Sequence, residues 1–295
     1  MNNASKDNTV EIAYAEWGKY NSNKVPFRVV DQLIPGLIAA REKGLEVSNY
    51  EYLLYCDDDN WLNQNYIALA YEIVSNNPRI GMLGGVGEAV CEIAPPAWFE
   101  KLKYNYAVGE QSPKSGDITE SKSYVYGAGS IMKKSVWLFL LENGFVSLLT
   151  GRKGKALSSG EDMELGIAFS YAGYRIWYDN RLKFKHYITK ERLTWEYVVK
   201  LMKAFALTQV KLWPYTNNST GKPYLWLRDM RFIVERVTAN YLHYLKSGGN
   251  FKKDNLLYLD LIYNVTILKE FIKEGNNIYI NNSRIAALKS KLAQI

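Results

Sequence analysis

The chain has 295 residues, a formal net charge of +7, and 47% hydrophobic against 23% charged residues. That length allows one large core or a core with an accessory unit, and the composition excludes intrinsic disorder. Two cysteines, Cys56 and Cys91, are too few for a disulfide framework and lack metal-ligand spacing, so buried thiols in a reducing compartment are expected. No apolar run reaches the ~18 residues of a membrane span. Nor does a basic segment followed by an apolar stretch open the chain, so no signal peptide is expected and a cytoplasmic setting follows. The positive charge suits phosphate-bearing partners, but the basic residues are scattered and form no nucleic-acid motif, which argues against nucleic acid.

In chain order, helical spacing predicts a helix over 8–19, then a strand over 27–30, a helix over 35–43 and a strand over 50–56. A helix over 63–75, strands over 80–85 and 130–132, and helices over 134–143 and 161–172 follow. Two further strands, 175–178 and 183–186, complete an α/β layer pattern that ends near residue 190. From 194 onward the periodicity is helical throughout: 195–210, 224–246, 255–273 and 283–293, punctuated by loops at 216–221 and 247–250. The expected organisation is therefore an α/β domain over 1–190 and a helical extension over 191–295. Tryptophan and tyrosine mix with lysine and arginine in the extension. A helical domain packed on the sheet accounts for this, and an amphipathic surface lying on an anionic membrane is the alternative.

Two acidic clusters carry the chemistry. Asp57-Asp58-Asp59 follows an apolar strand and hands over to a helix, the end of an open α/β sheet where ligands bind. Three adjacent carboxylates raise one another's pKa unless a cation offsets them, and Mg²⁺ or Mn²⁺ suits that need. An acidic helix cap is the bland account of the same residues, and a magnesium phosphohydrolase is another. Glu161-Asp162 opens a helix, where carboxylates favour the macrodipole; functionally, one of them would be a general base. His186 ends a strand, where a structural role is the default. Gly127-Ala128-Gly129 makes a tight turn or lets a backbone approach a ligand.

Order and spacing give these pieces a joint meaning: the chain resembles family 2 glycosyltransferases. Tyr50-Glu51-Tyr52-Leu53-Leu54-Tyr55-Cys56 followed by Asp57-Asp58-Asp59 is similar to the family's strand and acidic metal motif. Gly127-Ala128-Gly129 resembles its glycine-rich loop, and Glu161-Asp162 its carboxylate pair about 30 residues on. The run Ala172-Gly173-Tyr174-Arg175-Ile176-Trp177-Tyr178 leads to His186 as in the family. The stretch Pro35-Gly36-Leu37-Ile38-Ala39-Ala40-Arg41-Glu42-Lys43-Gly44 looks like the family's upstream helix, with Glu42 in place of the usual asparagine.

The resemblance covers roughly residues 1–190 and implies a GT-A sheet and an inverting, metal-dependent transfer of sugar from a nucleotide-sugar donor, with UDP-sugars favoured. The acceptor would be a glycan or lipid-linked glycan, and the setting surface polysaccharide synthesis in a bacterial cell envelope, with peripheral contact at the inner face of the plasma membrane. It implies that Asp59 and His186 hold Mg²⁺ or Mn²⁺, that Asp57, Asp58, Asp59 and Arg41 bind the donor, that Asp162 is the general base, and that Glu161 with Gly127, Ala128 and Gly129 binds the acceptor. The family's first strand, its helix and most of a second strand precede the point matched by Met1, so the sheet is expected to lack its first strand. Either the natural chain starts upstream of Met1, or this is a catalytically inactive truncated form that acts as a binding remnant.

Overall fold

The computed structural model describes residues 1–20, 25–149, 159–216, 224–248 and 255–294. Its helices are α1 (Thr9–Trp17), α2 (Leu37–Val47), α3 (Tyr66–Asn76), α4 (Phe99–Leu102), α5 (Lys134–Glu142), α6 (Glu161–Tyr171), α7 (Trp195–Lys211), α8 (Trp213–Thr216), α9 (Tyr224–Lys246) and α10 (Leu256–Leu292). The strands are β1 (Tyr52–Leu54), β2 (Asn60–Leu62), β3 (Ile80–Cys91), β4 (Gly116–Asp117), β5 (Ile131–Lys133) and β6 (Arg175–Ile188). They form one sheet in the order β1-β5-β3-β6-β2, with β4 paired to β6 off that path. The β3–β6 pair is parallel, whereas β1–β5, β3–β5, β2–β6 and β4–β6 are antiparallel. The sheet is thus mixed.

Alternation along the strands divides the core into two layers, because successive side chains of a strand point to opposite faces. Met82, Met132, Ile176 and Tyr178 join α5 and α6 through Trp137, Leu140 and Phe169. Their neighbours Leu83, Ile131 and, half-buried, Trp177 turn to the other face, where α3 supplies Tyr66, Ala70 and Val74. These are the two faces a helix-covered sheet must bury.

Several elements differ from expectation. Residues 175–178 and 183–186 belong to one continuous strand, β6, because β3 continues alongside as far as Cys91: the register shifts across residues 179–182, opposite Gly85, and pairing resumes at Lys183. Residues 27–30 form no strand; a single bridge joins Asn2 to Asp31, with Asn2 N–H donating to Val30 O at 2.9 Å. Asp57–Asp59 leads into the short strand β2 before the helix, since β6 offers a free edge on which Asn60 pairs with His186. The two helices expected at 255–273 and 283–293 are one, α10. Gly275 and the asparagines after it weaken the helix locally, but Ile278 and Asn282 are 5% exposed each and packing carries the helix through. Cys56 is exposed and Cys91 half-buried, so only the expectation of free thiols holds, not that of burial. The loops expected at 216–221 and 247–250 lie mostly outside the described residues.

The helical part shares apolar clusters with the sheet part. Ile285, Leu288 and Leu292 of α10 join the α5–α6 layer. Leu193, Trp195, Val198 and Leu201 pack with Trp98, Phe99, Tyr106 and Ile188 across residue 190. Among the described residues, no helix is long and apolar enough to cross a membrane.

Candidate active site

Pairing brings the sequence clusters to one end of the sheet. Leu54 of β1 lies opposite Ile131 of β5, and Tyr55 N–H donates to Ser130 O at 2.9 Å. The acidic run that follows β1 and the Gly127–Gly129 turn that precedes β5 therefore share an end. Tyr66 clips that turn from α3, its hydroxyl donating to Gly129 O at 2.7 Å. On the other side of the run, Tyr187 N–H donates to Asp59 O at 2.8 Å, which sets Asp59 beside His186.

His186 is 6% exposed, and its Nδ1 lies 2.6 Å from Tyr106 O. A carbonyl only accepts, so Nδ1 carries a proton, and Nε2 faces Asp59 Oδ2, 3.3 Å away, to which it donates when the ring is protonated. Arg192, in the 3₁₀ turn Lys190–Leu193, donates from Nη1 to the same Asp59 oxygen at 2.9 Å and lies 3.3 Å from His186 Nε2. Asp59 Oδ1 accepts from Asn60 Nδ2 at 2.7 Å. Burial pushes the Asp59 carboxyl up, but His186 and Arg192 outweigh it and hold the carboxyl below the ordinary value. The offsetting cation demanded by the acidic run is thus supplied first by the protein itself. Asp57 is half-buried and Asp58 exposed; Asp57 O accepts from Asn60 N–H at 3.1 Å, closing the turn.

A carboxylate oxygen and an imidazole nitrogen in the correct tautomer fit a Mg²⁺ or Mn²⁺ ion, which commonly takes one or two protein ligands and completes its shell with phosphate and water. Among the described residues, no three His, Cys, Asp or Glu side chains gather into a complete cage. The pair fits a site finished by substrate oxygens.

The second cluster lies at the start of α6. Gly127 N–H donates to Asp162 Oδ2 at 2.8 Å, and Met163 N–H to Oδ1 at 2.9 Å. A Cβ at Gly127 would sit 2.6 Å from Arg41 Nη2, so any side chain there would displace the guanidinium. Arg41 and Glu161 are each 6% exposed. Both line a cavity of about 20 Å³ beneath α2, α5 and α6, space for little more than one water. Arg41 also stacks over Tyr55, 5.4 Å from the ring centroid. Ala128 is buried as well. Arg41, Glu161 and Ala128, expected to touch donor or acceptor, thus lie buried behind the turn and the helix start that carry Gly127 and Asp162.

Two further groups escape a reading of the sequence. Arg192 sits in a basic stretch that nothing distinguishes until β2 and β6 pair. Lys122 lies 4.8 Å from the Tyr124 ring and 4.5 Å from that of Tyr126, donates to Gln111 Oε1 at 3.1 Å, and feels the charge of Asp162. Burial pulls its pKa down to about 8, with Asp162 opposing. The Lys122-Ser123-Tyr124-Val125-Tyr126 run preceding the glycine turn was its only sequence signal.

Residues 1–136 match the family model described as Glycosyl transferase family 2. Asp162, His186 and Arg192 lie beyond that stretch. No curated protein sequence matches the chain. Solved structures that resemble it include the following three. TarS of S. aureus, residues 1–349, is 15% identical, with 92% of this chain and 80% of that one covered and a TM-score of 0.44. GalNAc-T7 with UDP, GalNAc and Mn²⁺ is 16% identical, with 73% and 45% covered and a TM-score of 0.45. The mannosyltransferase PcManGT from Pyrobaculum calidifontis, in complex with GDP-Man and Mn²⁺, is 14% identical, with 98% and 64% covered and a TM-score of 0.44. The chain spans under two thirds of the last two.

Proposed function

Starting from a GT-A type of mixed sheet and a Glycosyl transferase family 2 match over residues 1–136, we propose that this chain transfers a sugar, with inversion, from a nucleotide-sugar donor to a glycan hydroxyl. The observation that carries this reading is the meeting, at one sheet end, of two acidic sites with different partners. Asp59 faces His186 and Arg192, whereas Asp162 hangs from the Gly127 N–H.

Asp162 takes the proton from the acceptor hydroxyl as that oxygen attacks the anomeric carbon. Its two backbone N–H bonds fix the carboxylate while leaving acceptor capacity on both oxygens. One displacement inverts the anomeric centre and needs no protein nucleophile on the far face. Asp59 and His186 would hold Mg²⁺ or Mn²⁺, which when bound would supply Lewis-acid stabilisation to the departing diphosphate. Arg192 adds a fixed positive charge beside the same leaving group. Asp57 and Asp58 meet the donor's ribose and sugar. Arg41, Glu161 and Ala128, buried, position Gly127 and Asp162 rather than touch the ligand.

UDP-sugars are the first donors to try. A surface polysaccharide acceptor, made at the cytoplasmic face with peripheral membrane contact when lipid-linked, extends the same reading. Its support is the family resemblance and the aromatic and basic residues of the helical part. In the test, Asp162→Asn lowers transfer by about 10²–10⁴-fold, the value of a general base, while the dissociation constant for the nucleotide sugar stays near that of the unaltered chain. Transfer at the unaltered rate would remove Asp162 from the mechanism. A chain that binds nucleotide sugar but transfers to no glycan would be a binding remnant instead.

A further inference from the structure

We propose that the cavity between α7, α9 and α10 is the acceptor subsite, holding one neutral sugar ring of the glycan whose hydroxyl meets Asp162. This rests on the transferase reading above. The cavity measures about 290 Å³, near the ~300 Å³ lower end of small-molecule sites and equivalent to on the order of ten waters. That is room for one sugar unit.

Its lining states the ligand's chemistry. Trp213, Phe232 and Tyr263 bring aromatic surface, and Gln209, Asn264 and Arg236 bring polar groups. The C–H face of a pyranose packs on the electron-rich face of an aromatic ring, while amides both donate to and accept from its hydroxyls. Arg236 offers a planar fork to a pair of adjacent hydroxyls. A phosphate or carboxylate is a poor match, because Arg236 is the single cation among the described lining residues and already lies near the Asp260 carboxyl on α10. The Trp213 indole is held for the task, its Nε1–H donating to buried Asp229 at 3.0 Å. Asn264 forms the floor at 3% exposure, whereas Phe232, 56% exposed, and Arg236 stand at the mouth.

Two contacts join this cavity to the base. Thr208, next to Gln209, donates to Ser159 O at 2.6 Å, and its methyl group fills the space a Cβ on Gly160 would need, 2.5 Å away. Gly160 is two residues from Asp162. On the other side, Tyr263 of α10 comes near Tyr124, and Tyr124 in turn comes near Asp162. The cavity wall and the base are thus linked through both α6 and the Lys122–Tyr126 segment. The helical part would therefore choose the acceptor while the sheet end handles the donor.

The test uses the full chain and saturation-transfer NMR with methyl glucosides, methyl galactosides and methyl N-acetylglucosaminides as probes. UDP and GDP with Mn²⁺ are titrated separately by calorimetry. At least one glycoside should receive saturation, and Arg236→Ala and Phe232→Ala should each weaken its binding about tenfold, the loss of one good contact. Both positions are at the mouth, and thermal melting checks that each variant folds; either one suffices for the comparison. If no glycoside binds while a nucleotide does, or if both variants bind glycoside as well as the unaltered chain, the cavity is not the acceptor subsite. If neither nucleotide binds the unaltered chain, the transferase reading itself falls.

Discussion

Gly87→Ala tests how a position in the middle of β3 controls a side chain on β6. A Cβ at Gly87 would lie 2.0 Å from Ala107 O, whereas real Cβ atoms essentially never come within 3.0 Å. The 107 carbonyl must therefore retreat by about 1 Å. It cannot do so alone, because Gly109 N–H is bonded to Gly87 O at 2.8 Å and Tyr106 O, one residue earlier, holds His186 Nδ1 at 2.6 Å. A shift of that size along the bond stretches it to about 3.6 Å, no longer a hydrogen bond. Overpacking costs about 1–3 kcal/mol and the lost bond about 1 kcal/mol. At about 2–4 °C per kcal/mol, the melting temperature should fall by roughly 5–15 °C. Freed from its carbonyl, His186 also loses its fixed tautomer, and the affinity for Mn²⁺ should drop about 10–100-fold. Differential scanning calorimetry and Mn²⁺ titration followed by electron paramagnetic resonance read the two effects. Gly44→Ala is the control: it lies inside α2, its Cβ would meet only Met1 Cγ at 3.9 Å, and it should gain up to about 1 kcal/mol. A Gly87→Ala protein with unchanged melting and unchanged Mn²⁺ affinity would refute the link between β3 and the His186 tether.

Arg192→Ala removes the cation 2.9 Å from Asp59; Mn²⁺ binding without nucleotide should tighten about fivefold, a ~1 kcal/mol effect at a partly solvated site, and unchanged or weaker binding would show that Arg192 does not compete there. Because the folded Asp59 carboxyl is held below its ordinary value, its contribution is fully present above the unfolded value of about 3.9 and is lost as pH falls through the lower folded one. Acid melts of the unaltered chain should therefore lose their advantage over Asp59→Asn only in that low window, and a difference that fades near neutral pH would contradict the assignment. Lys122 behaves oppositely to a lysine that gains a partner: its pKa near 8 lies below the usual value, so burying its charge opposes folding at pH 7 and the penalty lifts as pH rises from about 8 to about 10. Lys122→Met should gain about 1 kcal/mol at pH 7, a figure kept low because the side chain is only half-buried, and lose that gain by pH 10. A constant difference across that range would refute the charge-burial account.

Local pattern was enough for most helices, for the existence of four of the six strands and for both acidic clusters. Periodicity of 3.6 marked α9 at its observed bounds, Tyr224–Lys246, and the apolar run before Asp57 marked β1. Short strands were less legible. Asn60–Leu62 becomes β2 only because β6 provides an edge to pair with, and Gly116–Asp117 becomes β4 for the same reason. At 255–293 the polar break in the sequence was real, but packing at Ile278 overrode it.

For the site, the sequence determined which residue types are present and in what order: Asp57-Asp58-Asp59, a glycine turn, Glu161-Asp162 and His186. Those are local features, written in side-chain chemistry and in distance along the chain. Tertiary structure decided which of them meet. It paired Asp59 with His186, put Arg192 between them, turned Arg41 and Glu161 inward, and hung Asp162 from Gly127. Such choices depend on strand register and on contacts between residues scores of positions apart, such as Asp59 and Arg192, separated by 133. No local propensity records them, because the free energy that selects them arises only once the sheet has closed.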